Sequence, residues 1–196
     1  MSKLPVFITG NQNKADLLAN LLGISLEHQR LDLTEVQAPT LEEVVEEKVK
    51  EAYRLIGKPV LVEDVSLGYD ELNGMPGPFI KFFISRHDKP ETSQEERMEL
   101  LEKVCRMGDG LLSRAATAAC VYAYYDGEQL ELIRGELNGY ISEHPRGENG
   151  FGWDYIFCPN GWNDKTRAEM VVSDDPTKYP SIRPYSQLRD FLTNLE

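Results

Sequence analysis

Two adjacent carboxylates, Glu63 and Asp64, are the side chains of this sequence best suited to hold a metal ion or to activate water. They follow an apolar run, residues 59–62 (PVLV), whose composition is typical of a buried parallel strand. A strand that ends in acids places them at the rim of a sheet, where open α/β folds bind ligands. Because successive strand side chains point to opposite faces, the two carboxylates should have different partners. The alternative is a strand that stops at a solvated acidic turn.

A third carboxylate, Glu43, lies near the start of a helix predicted over residues 40–55. Thr40 and Glu43 have the spacing of a capping box, in which both side chains satisfy backbone N–H groups at the helix start. One interpretation is therefore that Glu43 caps its own helix. The other is that it binds a divalent ion near Glu63 and Asp64, and sequence periodicity does not decide between the two.

A hydroxyl, an amide and a cation (Thr9, Asn11 and Lys14) cluster where a strand predicted over residues 4–9 meets a helix predicted over residues 14–22. Backbone N–H groups and a helix N-terminus meet at such a connection, which favours anions. The spacing is not that of a P-loop. Most turns of this kind only connect two elements.

Lys81 is the single cation of a short apolar helix predicted over residues 79–84 (FIKFFI). A lysine in this setting usually extends its charged end to solvent along the apolar surface. The alternative is that Lys81 contacts an anion bound beside Asp64.

Residues 145–154 (PRGENGFGWD) combine three glycines with Phe151, Trp153 and Asp154. An aromatic ring on such a loop is suited to stack on a planar base, and the carboxylate can accept from a hydroxyl or a ring N–H. The alternative, a structural loop with Trp153 packed inward, is the favoured interpretation of the segment in isolation. Further on, Lys178, Ser181 and Arg183 bring two cations and a hydroxyl together.

The remaining pattern alternates strands and helices, which is typical of an α/β protein. Further strands are predicted over residues 26–33, 114–125, 129–134, 137–141 and 155–157, and further helices over residues 94–107 and 184–195. Asp126-Gly127 predicts a hairpin turn, and Gly135 a bulge. The part around residues 94–107 is interpreted as a separate small lobe.

Length and charge limit the classes of function. The chain has 196 residues and a formal net charge of −12, so it suits one domain or two small lobes, and it lacks the basic surface of nucleic-acid proteins. Three widely spaced cysteines predict neither a disulfide framework nor a metal site. No signal peptide or membrane span is expected. These features together predict a cytoplasmic protein.

Taken in order, these stretches resemble the Ham1-like inosine triphosphate pyrophosphatases, which hydrolyse non-canonical purine nucleoside triphosphates. The similarity covers nearly the whole chain and is closer to the eukaryotic branch. The resemblance is carried by residues 9–14 (TGNQNK), 60–64 (VLVED), 74–81 (GMPGPFIK), 151–154 (FGWD), 168–170 (AEM) and 181–183 (SIR). The first and fourth of these motifs are specific when they occur together.

The resemblance implies a single domain over residues 1–196 with an ITPase/Maf-like α/β fold. This fold has an elongated mixed central sheet, flanking helices and two lobes around a nucleotide cleft. It also implies a homodimer and cleavage of a nucleoside triphosphate to the monophosphate and pyrophosphate. The implied cofactor is Mg2+, with Mn2+ as the alternative, since both suit an all-oxygen site.

The resemblance also implies roles for the candidate residues. Glu43 and Glu63 would bind the metal together with Asp64, which would also orient or deprotonate the attacking water. The residues that would bind the substrate are Thr9, Asn11, Lys14 and Lys81 at the phosphates, Phe151, Trp153 and Asp154 at base and ribose, and Lys178, Ser181 and Arg183 over the base and its 6-oxo group.

Three departures from the family pattern bear on base specificity rather than on the metal site. Ile182 stands where the family usually has histidine, and an aliphatic side chain cannot donate a hydrogen bond. Tyr179-Pro180 replaces the usual asparagine start, and Val65 replaces a common threonine or serine. Two alternatives to the enzyme therefore stay open: a nucleotide-binding protein that has lost activity, and a pyrophosphatase with a different base preference.

Overall fold

The protein has a mixed α/β fold, as the sequence predicted. The computed structural model describes residues 4–9, 15, 18–19, 22–24, 26–34, 36–88, 91–173, 175 and 177–195. Within these ranges the strands are β1 (Val6–Ile8), β2 (His28–Gln29), β3 (Val60–Tyr69), β4 (Met75–Gly77), β5 (Ala115–Tyr125), β6 (Leu130–Ile141) and β7 (Phe157–Pro159). The α-helices that lie entirely within these ranges are α1 (Leu41–Ile56), α2 (Ile80–Phe83), α3 (Gln94–Arg106) and α4 (Tyr185–Thr193). Residues 15, 18–19 and 22 are also helical, and the rest of the helix predicted over residues 14–22 lies outside the described residues.

The described strands form one seven-stranded sheet in the order β2-β1-β3-β5-β6-β7, with β4 paired to β3. β1 pairs in parallel with β2 and β3, whereas the β3–β4 and β6–β7 pairs are antiparallel. The sheet is therefore mixed, with both parallel and antiparallel pairs.

The chain divides into two compact units. The first unit comprises Met1–Val65, Cys120–Gly135 and Arg183–Glu196, and the second comprises Ser66–Ala119 and Glu136–Ile182. Strands β3, β5 and β6 each contribute residues to both units. Glu63 and Asp64 therefore belong to the first unit, and residues 151–154 belong to the second.

Helix α1 supplies much of the buried face of the first unit. Thr40 caps its start by accepting the Glu43 backbone N–H at 3.4 Å, and Gly57 ends it with a φ of 66°. Its inward residues recur at helical spacing, as the sequence predicted, but the expected extension of this stripe to Leu55 was wrong, because Leu55 is 60% exposed. The buried side chains are Leu41, Val44, Val45, Val49 and Ala52.

The acid pair does not end its strand, and that prediction was wrong. β3 continues to Tyr69, so Glu63 and Asp64 lie in mid-strand. The strand continues because Leu67, Gly68 and Tyr69 pair with β4, which satisfies their backbone groups. Alternation along the continuous strand still separates the surroundings of the two acids, as predicted.

Several smaller boundaries also differ from the sequence-based expectation. β2 has only two residues, both exposed, because its polar sequence gives it no buried face. β6 is continuous through Gly135, where a bulge was predicted. β7 begins at Phe157 rather than at residue 155, since the Ile156 N–H donates within a turn to Trp153 O at 3.1 Å.

Candidate active site

Five side chains of the first unit form what we call the acid cluster: Glu63, Asp64, Lys48, Tyr122 and Arg183. Strand β3 supplies both acids, α1 the lysine, and β5 the tyrosine, while the arginine lies just before α4. Each acid is held by a cation from a different element, so the cluster depends on the packing of α1, α4 and the sheet.

Glu63 is buried, and both of its carboxylate oxygens accept hydrogen bonds. Arg183 Nη2 donates to Oε1 at 2.9 Å, and Tyr122 Oη donates to Oε2 at 3.1 Å. A buried carboxylate is tolerated only when it is paired and hydrogen-bonded, and removing one partner of such a pair costs about 3–5 kcal/mol. The three residues therefore act as a unit.

The ionisation of the two donors favours this arrangement. Burial, reinforced by the charge of Glu63, raises the pKa of the Tyr122 hydroxyl well above its ordinary value. Burial by itself lowers the pKa of Arg183, but Glu63 and neighbouring groups reverse this effect, so that its pKa lies well above the ordinary value. At neutral pH the tyrosine keeps its proton and the arginine its charge, and both remain donors to Glu63.

Asp64 is more accessible than Glu63. Its Oδ1 accepts the Val65 backbone N–H at 2.9 Å, and its Oδ2 lies 3.4 Å from Lys48 Nζ. The Asp64 and Lys48 side chains are 18% and 16% exposed. A partly exposed carboxylate beside an ammonium group is suited to position a water molecule and to accept its proton.

Glu43 takes a local role at the helix start, but only the Thr40 half of the predicted capping box forms, because the Glu43 carboxylate accepts from the Thr40 hydroxyl and not from its backbone N–H. Its backbone N–H is capped by Thr40, and its Oε2 accepts a hydrogen bond from the Thr40 hydroxyl at 2.6 Å. The metal role of Glu43 stays a prediction. Within the described ranges, no group of three or more His, Cys, Asp or Glu side chains is arranged to hold a metal ion.

The predicted phosphate contacts are only partly within the described residues. Thr9 follows β1, and its N–H donates to Gln29 O at 3.0 Å, whereas Asn11 and Lys14 lie outside the described residues. Lys81 lies on α2 in the second unit, with its ammonium 4.9 Å from the centre of the Phe82 ring. Burial lowers the pKa of Lys81, so ionic contact with a phosphate would offset a desolvation cost.

Residues 150–154 of the second unit, which we call the aromatic loop, contain one exposed and one buried aromatic ring. Phe151 is 72% exposed, and Asp154 Oδ2 accepts its backbone N–H at 3.0 Å. Trp153 is buried and meets the Phe157 ring edge-on, with ring centres 5.8 Å apart. The inward packing considered for Trp153 is therefore the observed one, whereas the Phe151 ring is largely exposed and has the Arg97 guanidinium carbon 5.4 Å from its centre.

The segment before α4 separates into exposed and buried residues. Lys178 is exposed and pairs with Asp175 at 3.2 Å, and Ser181 is also exposed. Tyr179 and Ile182, two of the departures from the family pattern, are buried. These two substitutions therefore belong to the interior of the second unit.

Three residues with contacts at the candidate site were missed from the sequence. Lys48 had a signal, because it lies four residues from both Val44 and Ala52 in the buried stripe of α1. Tyr122 and Arg167 had none, since their contacts depend on distant parts of the chain. The Arg167 side chain is buried and lies 3.4 Å from Asp154 Oδ1.

No helix of the described residues is long and apolar enough to cross a membrane. This result concerns helices only.

Comparison with known proteins gives consistent results. Residues 5–176 match the Ham1 family. Inosine triphosphate pyrophosphatase of Kluyveromyces lactis is 36% identical over 198 residues, which covers 96% of this chain and 95% of the relative. The protein of the same name from Yarrowia lipolytica is 40% identical over 192 residues, covering 95% and 94%.

A solved structure also resembles this fold. The Ham1 protein from Coxiella burnetii superimposes with a TM-score of 0.77 and covers 97% of this chain and 99% of its own. Its sequence is 24% identical, so this likeness concerns the fold alone.

Proposed function

This chain belongs to the Ham1 family, and we propose that it hydrolyses non-canonical purine nucleoside triphosphates, such as ITP, dITP and XTP, to the monophosphate and pyrophosphate. The observation that carries this proposal is the acid cluster, in which Asp64 is paired with Lys48 and Glu63 with Arg183. Carboxylates to activate water and cations to offset charge are the groups that this hydrolysis requires.

We propose a Mg2+ cofactor, with Mn2+ as the alternative. The donor chemistry of the first unit fits such an ion at Glu43 and Asp64, which offer only oxygen, whereas both oxygens of the third predicted ligand, Glu63, already accept hydrogen bonds from Arg183 and Tyr122. Proteins commonly hold Mg2+ with one or two carboxylates, and water and substrate phosphates complete the shell. The bound ion would neutralise charge on the phosphate oxygens and on the leaving pyrophosphate.

Asp64 is the proposed general base. It would orient a water molecule for attack on the phosphate chain and would take its proton as the new P–O bond forms and the P–O bond between the α- and β-phosphates breaks, releasing pyrophosphate. Glu63 lies on the opposite face of the same strand, where Tyr122 and Arg183 fix its carboxylate. The proposed role of Glu63 is therefore structural. Through Tyr122 and Arg183 it fixes this part of β3, which carries Asp64.

The substrate contacts in this proposal follow the family resemblance. Thr9, Asn11, Lys14 and Lys81 would bind the phosphates, and Phe151 would stack on the base. Trp153 and Asp154 would support the base and ribose subsite, with Lys178, Ser181 and Arg183 closing over it.

A 6-oxo group is the chemical feature that separates inosine and xanthosine bases from adenine. An N–H donor aimed at it would face the amino group of adenine, leaving donor against donor, and such mismatches are strongly rejected. Ile182 cannot supply that donor, and its side chain is buried. This observation favours the second candidate function, a pyrophosphatase with another base preference.

Assembly and location also form part of the proposal. We propose a homodimer that acts on small nucleotides and does not bind nucleic acid, which is supported by the net charge of −12. A reducing compartment such as the cytoplasm is supported by Cys105, Cys120 and Cys158, which are buried free thiols.

The products formed from ITP test this proposal. Phosphorus NMR of the reaction with Mg2+ should show IMP and pyrophosphate in equal amounts, and a chelator should stop the reaction. IDP and inorganic phosphate as products would contradict pyrophosphohydrolysis. Binding of ITP without any product would favour the binding protein that has lost activity.

A further inference from the structure

Arg167 is a buried cation that has no role in the proposed reaction described above. It opens a short 3-10 helix, Arg167–Glu169, in the second unit, and its side chain is 6% exposed. Burying a guanidinium group is costly unless its partners are well placed. The identity of those partners therefore indicates what the residue is for.

The partners of Arg167 include two members of the aromatic loop. Nε lies 3.4 Å from Asp154 Oδ1, and the guanidinium carbon lies 5.5 Å from the centre of the Trp153 ring. Tyr179 Oη accepts hydrogen bonds from Nε at 3.2 Å and Nη2 at 3.0 Å, and the Tyr179 ring centre lies 5.0 Å from the guanidinium carbon.

The neighbour of Arg167 anchors the backbone of the same loop. Ala168 N–H donates to Asp154 O at 3.1 Å, and Ala168 O accepts from Asn149 N–H at 2.9 Å. The approach is so close that a Cβ atom at Gly147 would lie 2.3 Å from the Ala168 carbonyl carbon. The aromatic loop is therefore tied to the Arg167 helix by backbone contacts on both sides.

A continuous series of contacts joins the buried guanidinium to the exposed ring. Arg167 contacts Asp154 through Oδ1, and Oδ2 of the same carboxylate accepts the Phe151 N–H at 3.0 Å. Asp154 is thus held from two directions, and Phe151 is the loop residue that remains 72% exposed. Any shift of Asp154 would be transmitted directly to the backbone that carries Phe151.

We propose that Arg167 is the positioning residue of the base subsite, fixing Asp154 and Trp153 so that the Phe151 ring is presented to a purine base. This inference rests on the proposed function and deepens it. Arg167 acts through the loop and does not touch the substrate. Tyr179, which departs from the family pattern, completes the site by accepting from the guanidinium.

An arginine is specifically required for this role. Its planar guanidinium group can contact Asp154 and the Tyr179 hydroxyl at the same time while it stacks on aromatic rings. A lysine provides a single point charge on a flexible stem and cannot reproduce that set of contacts. Removing the charge leaves Asp154 without its buried partner, and the loop then lacks a fixed position.

The test compares Arg167→Met, Arg167→Lys and Tyr179→Phe with the parent protein. For Arg167→Met we expect the KM for ITP to rise about tenfold, the equivalent of one charge-assisted hydrogen bond, while kcat changes less than about threefold. Arg167→Lys should recover only part of this loss. Tyr179→Phe keeps the ring and removes only the hydroxyl, so it should show a smaller rise in KM.

A matched control separates positioning from stability. Arg114 is another partly buried arginine of the second unit, and its guanidinium bonds to Cys105 O and pairs with Asp109 instead of the aromatic loop. Arg114→Gln should lower the melting temperature and leave the KM for ITP unchanged. A folded Arg167→Met protein whose KM is within about twofold of the parent value would overturn the proposal.

Binding without turnover distinguishes this inference from the proposed function. The chain has two tryptophans, so in a Trp162→Phe background the fluorescence reports Trp153 alone. ITP titrated without divalent metal should bind less tightly to Arg167→Met than to its parent, and equal affinities would overturn the inference. A parent that binds ITP but never hydrolyses it would overturn the proposed hydrolysis alone, and one that does neither would overturn both.

Discussion

Glu63 and Asp64 are neighbours in sequence but have different surroundings. Glu63 is buried between Arg183 and Tyr122, whereas Asp64 is partly exposed beside Lys48. Because Glu63 is buried and bonded on both oxygens, it is suited to a structural role. Accessibility makes Asp64 suited to activate water, and this difference separates their proposed roles.

The role of Asp64 can be tested by Asp64→Asn. The amide keeps the shape of the side chain and one acceptor oxygen for the Val65 N–H, but it loses the ion pair with Lys48 and cannot accept the proton of the attacking water. Turnover of ITP should fall by at least about 10²-fold, the lower end of typical general-base contributions, while nucleotide still binds. Steady-state kinetics and a binding titration measure both effects. Asp88→Asn, at an exposed ion pair with Arg86, is the control, and full activity in Asp64→Asn would rule out the assignment.

The Tyr122 hydroxyl can be tested by Tyr122→Phe. This change leaves Oε2 of buried Glu63 without its donor, so the free energy of unfolding should fall by about 1–3 kcal/mol. Tyr124→Phe on the same strand is the matched control, because that hydroxyl meets Asp126 at 3.4 Å and should contribute less. Urea unfolding measures both variants. Equal losses of unfolding free energy in the two variants would mean that the Tyr122 hydrogen bond to Glu63 stabilises the fold no more than the Tyr124 contact with Asp126.

At the scale of elements, helix α1 carries two candidate functional residues on one short segment, Glu43 and Lys48. Its first turn contains Glu43, which accepts from Thr40, and its buried stripe contains Lys48, which faces Asp64. The cap and the proposed metal ligand therefore share one carboxylate. Only substitutions that separate the two roles can assign them.

Glu43→Gln and Thr40→Ala separate capping from metal binding. The amide oxygen of glutamine can still accept the Thr40 hydrogen bond, so Glu43→Gln should keep the melting temperature and raise the Mg2+ concentration needed for half-maximal activity. Thr40→Ala should lose about 0.5–2 kcal/mol of stability, which Thr40→Ser restores. An unchanged Mg2+ requirement in Glu43→Gln would remove Glu43 from the proposed metal site.

The elements themselves were largely predictable where local signals mark their ends. Thr40 and Gly57 mark α1, and the observed helix lies within one residue of the predicted bounds. The continuation of β3 past Asp64 was not predictable, because it depends on pairing with β4. Local sequence indicates where a helix begins, but it does not show which backbone will satisfy a strand.

The candidate site was predictable only where a residue type is unusual for its position. Two carboxylates after an apolar run could be identified, as could Phe151 in a glycine-rich loop. The partners of these residues could not, since Arg183 reaches Glu63 across 120 positions of sequence. Tyr122 and Arg167 acquire their roles from packing, and no local pattern marks them.

At the scale of the whole molecule, the net charge of −12 opposes a triphosphate ligand. Lys48 and Arg183 balance the charges of Asp64 and Glu63 and leave no surplus, so further cations must offset the charge of the ligand. A bound divalent ion would add to this compensation. The account thus expects both a metal requirement and a site at which positive charge is concentrated.

Oligomeric state is a prediction at the same scale. The proposed homodimer should elute in size-exclusion chromatography with a light-scattering mass twice that of one chain, at micromolar concentration and physiological salt. The mass should not fall in moderate salt if the interface is mainly apolar. A mass of one chain at all concentrations would contradict the homodimer.

The measurement that tests the central claim most directly is pyrophosphate release from ITP, XTP, dITP, GTP and ATP, with and without Mg2+, with Asp64→Asn measured in parallel. We expect metal-dependent turnover in which kcat/KM for ITP, dITP and XTP exceeds that for ATP by at least about tenfold and also exceeds that for GTP, and little turnover by the variant. Equal rates on all five nucleotides would contradict the base preference. No pyrophosphate from any of them would contradict the proposed function itself.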